Sequence, residues 1–298
     1  MNVLNNEVNE QITPASESKE VISYKAASRR RSIRINVLRV LLFVAIVGGW
    51  ELGARWFPPG SKTALIDPFF WGQPTGIWNQ LVTWVTQGTA QGSLWEQIAV
   101  TLEEAILGFI IGVVLGIIFG VVLGRNRFLS DVLGPYVKGL NSIPRVALAP
   151  LFAVGLGLGI QSKVALSVVL VFFIVFFNAF QGVREVDRNL LANARILGAS
   201  PSRVTTSVIL PSALTWIFAS LHTSFSFALV GAVVGEYVGA VQGIGLLIQT
   251  AGATFNNNGV IAAMVLLAVI ALVSEALITA LERRLLRWRP STVAEATI

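Results

Sequence analysis

The chain has 298 residues, of which 54% are hydrophobic and only 13% charged, with 22 Lys and Arg against 16 Asp and Glu. That is about half the charge of a soluble domain, and with a mean hydropathy of +0.71 it describes an all-α polytopic membrane protein. No large soluble domain fits beside spans that each take ~20 apolar residues. The basic residues gather at the ends of apolar runs, so the net charge of +6 reads as topology signalling and not as a nucleic-acid surface. With no cysteine and one histidine, disulfides and His/Cys metal centres are excluded.

In chain order, residues 1–34 form a polar N-terminal segment in which Glu7, Glu10, Glu17 and Glu20 show no sustained period, and a disordered cytoplasmic tail is expected. Lys25, Arg29, Arg30, Arg31, Arg34 and Arg39 then flank an apolar run from Val40. A long secretory signal has the same layout, but no small-residue cleavage site follows, which favours a retained first span. From Pro58 to about Ser93 the chain is rich in Pro, Gly and Trp, as suits an outer-surface loop. Within it Ile77, Trp78, Leu81, Val82 and Val85 share one face of a short interfacial helix, with Trp84 beside them.

The second span, about Gln97 to Gly124, carries Gly108, Gly112, Gly116, Gly120 and Gly124 on one stripe. Glycine at this spacing lets two helix backbones approach closely in lipid, and the partner is either in this chain or in another copy. Glu103 and Glu104 lie near the outer end, solvated there or held within the membrane for a purpose. After Arg125 and Arg127, Asp131–Asn141 reads as a short helix at the inner surface. The third span begins after Pro144-Arg145, with Arg145 as its inner-edge marker, and is broken by Pro150, Gly155, Gly157 and Gly159. Irregular backbone at membrane depth is tolerated only where it is protein-buried or lines a wet cavity, so this segment is a candidate wall of a path.

A fourth span, Val164 to about Phe180, returns the chain to a polar interruption from Asp187 to Pro211. Asp187 is placed to cap a short helix bearing Leu190, Leu191, Ala194 and Leu197, Gly198 to end it, and Ser200-Pro201 to start a second that runs to Leu210. The fifth span, Ser212 to about Val238, has a polar face of His222 and Ser226, with Ser220 and Thr223 less well aligned. His222 is either a packing residue or path-lining. An outer loop at 252–258 precedes the sixth span, Val260 to about Leu281, and Arg283, Arg284, Arg287 and Arg289 close it. This arrangement puts most of the 22 cationic residues on one side and both termini in the cytoplasm. The transmembrane domain is then 35–285, with a core at 90–285 and the polar interruption at 187–211, followed by a C-terminal tail at 286–298.

The interruption resembles the "EAA" loop of permease subunits in binding-protein-dependent ABC importers: Gly198, nine residues, then Val208-Ile209-Leu210-Pro211. Ala192, Asn193 and Ala194 stand where that triplet is usual, so its glutamate is missing. The segment Ile143, Pro144, Ala147, Pro150, Leu151 resembles the IP-x-x-A-x-x-PL run of the nitrate, sulfonate and taurine branch, and Glu236 before GAVQGIG resembles that family's acidic residue ahead of a Gly-rich turn. Where related permeases often carry arginine, this chain has His222. The resemblance implies a type I ABC importer permease fold of six transmembrane helices in the bacterial inner membrane. It also implies a second permease copy, two cytoplasmic ABC ATPase subunits and a periplasmic or surface solute-binding protein. By the same implication Ala194, Leu197, Gly198, Ala199 and Ser200 form the docking knob, Leu210 and Pro211 pass its motion onward, and Pro150, His222 and Ser226 are path candidates. The expected cargo is a small anion such as nitrate, bicarbonate, taurine or an aliphatic sulfonate, the alternative cargo a thiamine-precursor pyrimidine.

No G-x-x-x-x-G-K-[ST], H-E-x-x-H or G-x-S-x-G stretch is present, so neither nucleotide phosphates nor a hydrolytic centre are provided for, and neither enzyme chemistry nor a cofactor is expected. A different functional class, a secondary transporter or channel, needs Glu104, Glu236 or Glu275 to carry ion coupling.

Overall fold

The structure, a computed structural model, describes residues 14–56 and 67–285. Residues 1–13 of the expected tail, 57–66 of the expected loop and the tail from 286 lie outside these. The described residues are helical, joined by short turns, and divide into one unit ending at Thr75 and another beginning at Gly76.

In the first unit, α1 (Pro14–Trp56) is one continuous helix. It starts well before residue 34, where disorder was expected. Pro14 is favoured as a first helical residue, and the Ala, Glu and Lys that follow let helix propagate from an apolar span into a polar flank. A short α2 (Pro68–Trp71) follows. Near the end of α1, Glu51 accepts from Arg55 Nε at 2.6 Å and from the Thr75 N–H and hydroxyl at 3.0 and 2.9 Å. These bonds hold the first turn of α3 (Pro74–Gln87).

In the second unit, α3 buries Ile77 and Trp84, two turns apart on one face, and leaves Trp78, Val82 and Val85 exposed. The apolar face expected to be single is therefore divided. Next come α4 (Leu94–Arg125), α5 (Arg127–Ser142), a 3-10 turn Arg145–Leu148, α6 (Ala149–Leu156) and α7 (Ile160–Arg184). A capping box at Ser93 and Glu96 starts α4.

The five glycines of α4 meet α7 of the same chain in strict register. A Cβ placed on Gly108, Gly112, Gly116, Gly120 or Gly124 would lie 2.2–2.9 Å from the Cβ of Ser167, Val171, Val175, Ala179 or Val183 respectively. Both sequences ascend together, so α4 and α7 are parallel. Two parallel spans require the chain between them to cross the membrane once, and the pair α5 with α6, bent by 80° at the break, is that crossing. Arg184 at the end of α7 donates to Ser130 Oγ at 2.9 Å near the start of α5. Leu158, just after α6, sits where a Cβ on Gly239 at the opposite end of the bundle would fall. Hence the segment read as a surface helix at 131–141 is the first half of the third crossing. Arg145 lies not at its inner edge but over Phe173, near the middle of α7.

The chain continues through α8 (Arg188–Ile196), α9 (Pro201–Val204), a π turn Thr205–Ile209, α10 (Leu210–Val238), α11 (Ile244–Ala253) and α12 (Asn257–Leu285). Helix α10 packs antiparallel to α7, Gly231 against Ser167 and Gly235 against Lys163. The core lies where α4, α7 and α10 meet: Ala105, Val171, Val175, Phe225, Ala228, Leu229 and Ala232 are all buried. Among the described residues five helices are long and apolar enough to cross a membrane, and the bent pair taken as one span makes six. Below, the "lower end" is that of Arg125 and Arg184, and the "upper end" that of Leu94 and Ile160.

Candidate functional site

At the lower end, α8 and α9 form a polar elbow. The Asp187 carboxylate accepts from Asn189 N at 2.8 Å and so caps α8. Gly198 closes it at φ +77°, with Gly198 N on Arg195 O and Ala199 N on Ala194 O, both at 3.0 Å. A glycine is the residue that enters this left-handed conformation without a steric cost. Ser200 Oγ then accepts from Arg203 N at 3.3 Å ahead of Pro201. Ile196 and Leu197 at the tip are 82% and 85% exposed, whereas Ala194 and Ala199 are half-buried. Ile196 is absent from the set chosen from sequence, although its neighbour Leu197 was chosen. Behind the tip a cavity of about 410 Å³ is lined by Arg125, Val183, Leu191, Arg195 and Val204, joining the elbow to the feet of α4 and α7.

The elbow's second limb does not stop at Leu210. Pro211 has no N–H and its ring crowds the carbonyl one turn back, so the helix widens: Leu210 N–H reaches Thr205 O in a π turn and the chain carries on as α10. Residues 201–238 are thus one rod from the elbow through the membrane, with Leu210 half-buried and Pro211 exposed on it.

At the upper end, α10 and α4 cap the start of α11. The Glu236 carboxylate accepts from Thr101 Oγ1 and from Gly245 N, both at 2.6 Å. Thr101 Oγ1 accepts from Ile244 N at 2.9 Å, and Gln97 Oε1 from Gly243 N at 2.7 Å. Three N–H groups at the head of α11, which its own helix cannot satisfy, are so matched by side chains from two other helices. Gly243 is at φ +115°, and a Cβ there would fall 2.1 Å from Glu236 Oε1. Lys163, fully buried, donates to the carbonyls of Leu158 and Gly159. Glu104 is buried in the same region, one oxygen without a protein partner. Glu236 and Lys163 have clear structural work in holding the α6–α7 and α10–α11 turns. Gln97 and Thr101 were not singled out from the sequence, where nothing marks them.

Of the path candidates, His222 faces the last helix. Its Nδ1 meets Glu275 Oε1 at 2.7 Å and its Nε2 meets Glu282 Oε2 at 3.0 Å. With both carboxylates ionised, the two bonds exist together only when both ring nitrogens carry hydrogen. The residue is a strut between α10 and α12. Ser226, one turn above His222 on the same side of α10, is exposed, as is Pro150 at the start of α6. Beside Pro150, the break at Ile143 and Pro144 holds Arg145, whose guanidinium stacks 5.2 Å from the Phe173 centroid.

Residues 112–287 match the family described as the binding-protein-dependent transport system inner membrane component. The chain belongs to this permease family. The permease is 34% identical over 67% of its length, and 72% of the relative's, to a putative aliphatic sulfonates transport permease, SsuC, of Bacillus subtilis. It is 38% identical, over 69% of its length and 76% of the relative's, to the riboflavin transport permease RibX of Chloroflexus aurantiacus. To the taurine transport permease TauC of Escherichia coli it is 30% identical over 88% and 91% of the two chains. Its fold is that of an inward-facing MetNI methionine ABC transporter chain, with a TM-score of 0.51 at 24% identity over 65% of this chain and 93% of that one. The permease is therefore a multi-pass inner-membrane transport protein of the ABC importer class. Its membership of this family decides against the secondary-transporter alternative.

Proposed function

We propose that this permease is the path-forming subunit of an ATP-driven importer of a small sulfonate-type anion. It works as a pair of copies, with an ABC ATPase on the elbow of each and a solute-binding protein at the upper end. Both termini and the elbow then lie in the cytoplasm. The observation that carries the reading is the elbow itself: two large apolar side chains, Ile196 and Leu197, stand in water at the tip of a polar segment and need a partner to cover them. Ala194, Gly198, Ala199 and Ser200 shape the knob around them. The elbow is also continuous with a rod that crosses the membrane at 201–238. Closure of the ATPase pair pushes that rod through Leu210 and Pro211 and exchanges two discrete packings of the bundle. The relatives named for sulfonates and taurine support the cargo class.

The test is Ile196→Asp with Leu197→Asp, in the complex purified with its ATPase and binding protein and reconstituted in liposomes. The ATPase is expected to dissociate from the variant and ATP-driven uptake of radiolabelled taurine to vanish, while the permease still inserts and pairs. Wild-type retention of the ATPase with undiminished uptake refutes the docking role. A second cargo has a specific basis in the 38% identity to a riboflavin permease. Uptake of riboflavin in place of taurine and ethanesulfonate selects it.

A further inference from the structure

Arg145 takes no part in the elbow or in the upper-end cap. Helix α7 extends 13 residues beyond Phe173 toward the upper end and 11 toward the lower, about 20 and 16 Å at 1.5 Å per residue. A guanidinium stacked on Phe173 is therefore near the middle of the bilayer. Facing lipid there is costly for a charge even on the most lenient scale, and a non-helical break at that depth needs protein or water around it. Among the described residues little covers the break: Pro144, Val146, Ala147 and Pro150 are exposed and Arg145 is half-buried, with Ala149 alone buried. Among the described residues no carboxylate pairs with Arg145. Among the described residues its single side-chain bond is from Nη2 to Asn141 Oδ1 at 2.8 Å, which leaves most of the guanidinium's N–H donors unengaged by them. A charge held in place by a ring and an amide, with its remaining donors turned to no protein acceptor, fits a polar cavity between copies.

We propose that Arg145 is the anion-reading residue of the translocation path: at the mid-membrane break, its open N–H groups receive the oxygens of a sulfonate as the solute passes. The planar fork matches an oxyanion in a way that a point charge does not. Asn141 and the Phe173 ring hold the fork's orientation. The proposal rests on the small-anion reading above and adds to it the residue that selects the charge.

The chain has no cysteine, so Ala147→Cys, on the exposed break, gives the permease of the assembled permease–ATPase complex its sole thiol, read out on the permease band. That thiol is expected to react with 2-sulfonatoethyl methanethiosulfonate, itself an alkyl sulfonate, about tenfold faster than with the trimethylammonium counterpart, after correction for their rates with a free thiol. Adding Arg145→Ala brings the ratio to about one, and Arg145→Lys keeps most of it; a residue needed only for packing would give neither result. A thiol inert to both reagents with and without ATP, or a ratio indifferent to Arg145→Ala, overturns the proposal. In reconstituted complex, taurine uptake is expected to fall at least about tenfold in Arg145→Ala with ATPase binding intact. Equal uptake in wild type and Arg145→Ala refutes this inference alone, whereas a wild-type complex that takes up neither taurine nor ethanesulfonate refutes the functional reading beneath it.

Discussion

Gly112→Ala probes the α4–α7 seam directly. The added Cβ would stand 2.7 Å from Val171 Cβ, 2.8 Å from its Cγ1 and 3.1 Å from Val168 O. Carbon atoms at rest lie about 3.5–4.0 Å apart, so the helices must part by roughly 0.7 Å or Val171 must move. Val171 is fully buried between α4 and α10 and has nowhere to go. Overpacking of this kind costs about 1–3 kcal/mol, offset by up to ~1 kcal/mol for replacing a mid-helix glycine, which leaves a net loss of about 1–2 kcal/mol. Gly139→Ala is the control, because a Cβ there, in the last turn of α5, meets nothing within 4 Å and should not destabilise. The measurement is reversible unfolding in mixed micelles, followed by the fluorescence of the 8 tryptophans. A Gly112→Ala variant as stable as Gly139→Ala refutes the close seam.

Two further outcomes follow from the polar contacts. Glu236→Ala leaves the Gly245 N–H without its buried acceptor, while the Thr101 hydroxyl keeps the Gln97 carbonyl at 3.1 Å, a loss of about 1–3 kcal/mol for the unpaired N–H. Amide exchange at the head of α11 should rise sharply, and exchange there at the wild-type rate would show that Glu236 is not the cap. His222→Ala removes a strut whose carboxylates are partly in solvent. Its cost should be no more than ~1 kcal/mol, with raised exchange confined to the lower half of α12; a loss of several kcal/mol, or no change in α12, contradicts the assigned geometry.

Much of this molecule is written locally. The four-residue glycine repeat, the Gly198-x-x-Pro201 punctuation and the long apolar runs are periodic or turn signals, and each maps onto a helix or a helix end at nearly the expected residue. What escapes a local reading are contacts between distant segments. Thr101 and Glu236 lie 135 positions apart, and His222 finds its carboxylates 53 and 60 positions on. Helix α11 has no counterpart among the expected elements because ten residues interrupted by glycines carry too little pattern to distinguish a short cap from a turn. Arg145 was misplaced for a different reason: cations at the ends of apolar runs usually mark the membrane edge, and here one sits inside a broken span, where only the packing against Phe173 reveals its depth.

The bent pair also fixes which faces of the protein meet water, and native freedom from cysteine makes that measurable. Helix α5 is 16 residues long and Arg145–Leu156 adds 12, roughly 24 and 18 Å of helix. Two such limbs meeting at 80° reach about 32 Å from end to end, the ~30 Å of a hydrocarbon core. The pair is thus long enough to cross despite its bend, as the parallel seam demands. Single cysteines at Arg127 and Gln161, both exposed, then belong on opposite sides, and one at Ser202, exposed on the elbow, joins Arg127. In intact cells an impermeant maleimide should label Gln161→Cys only, with Arg127→Cys and Ser202→Cys labelled after permeabilisation. Labelling of Arg127→Cys and Gln161→Cys from one side makes the pair re-entrant, and α4 and α7 could not then both span the membrane in parallel. Labelling of Ser202→Cys from outside places the elbow beyond the reach of any cytoplasmic ATPase, and the proposed coupling fails with it.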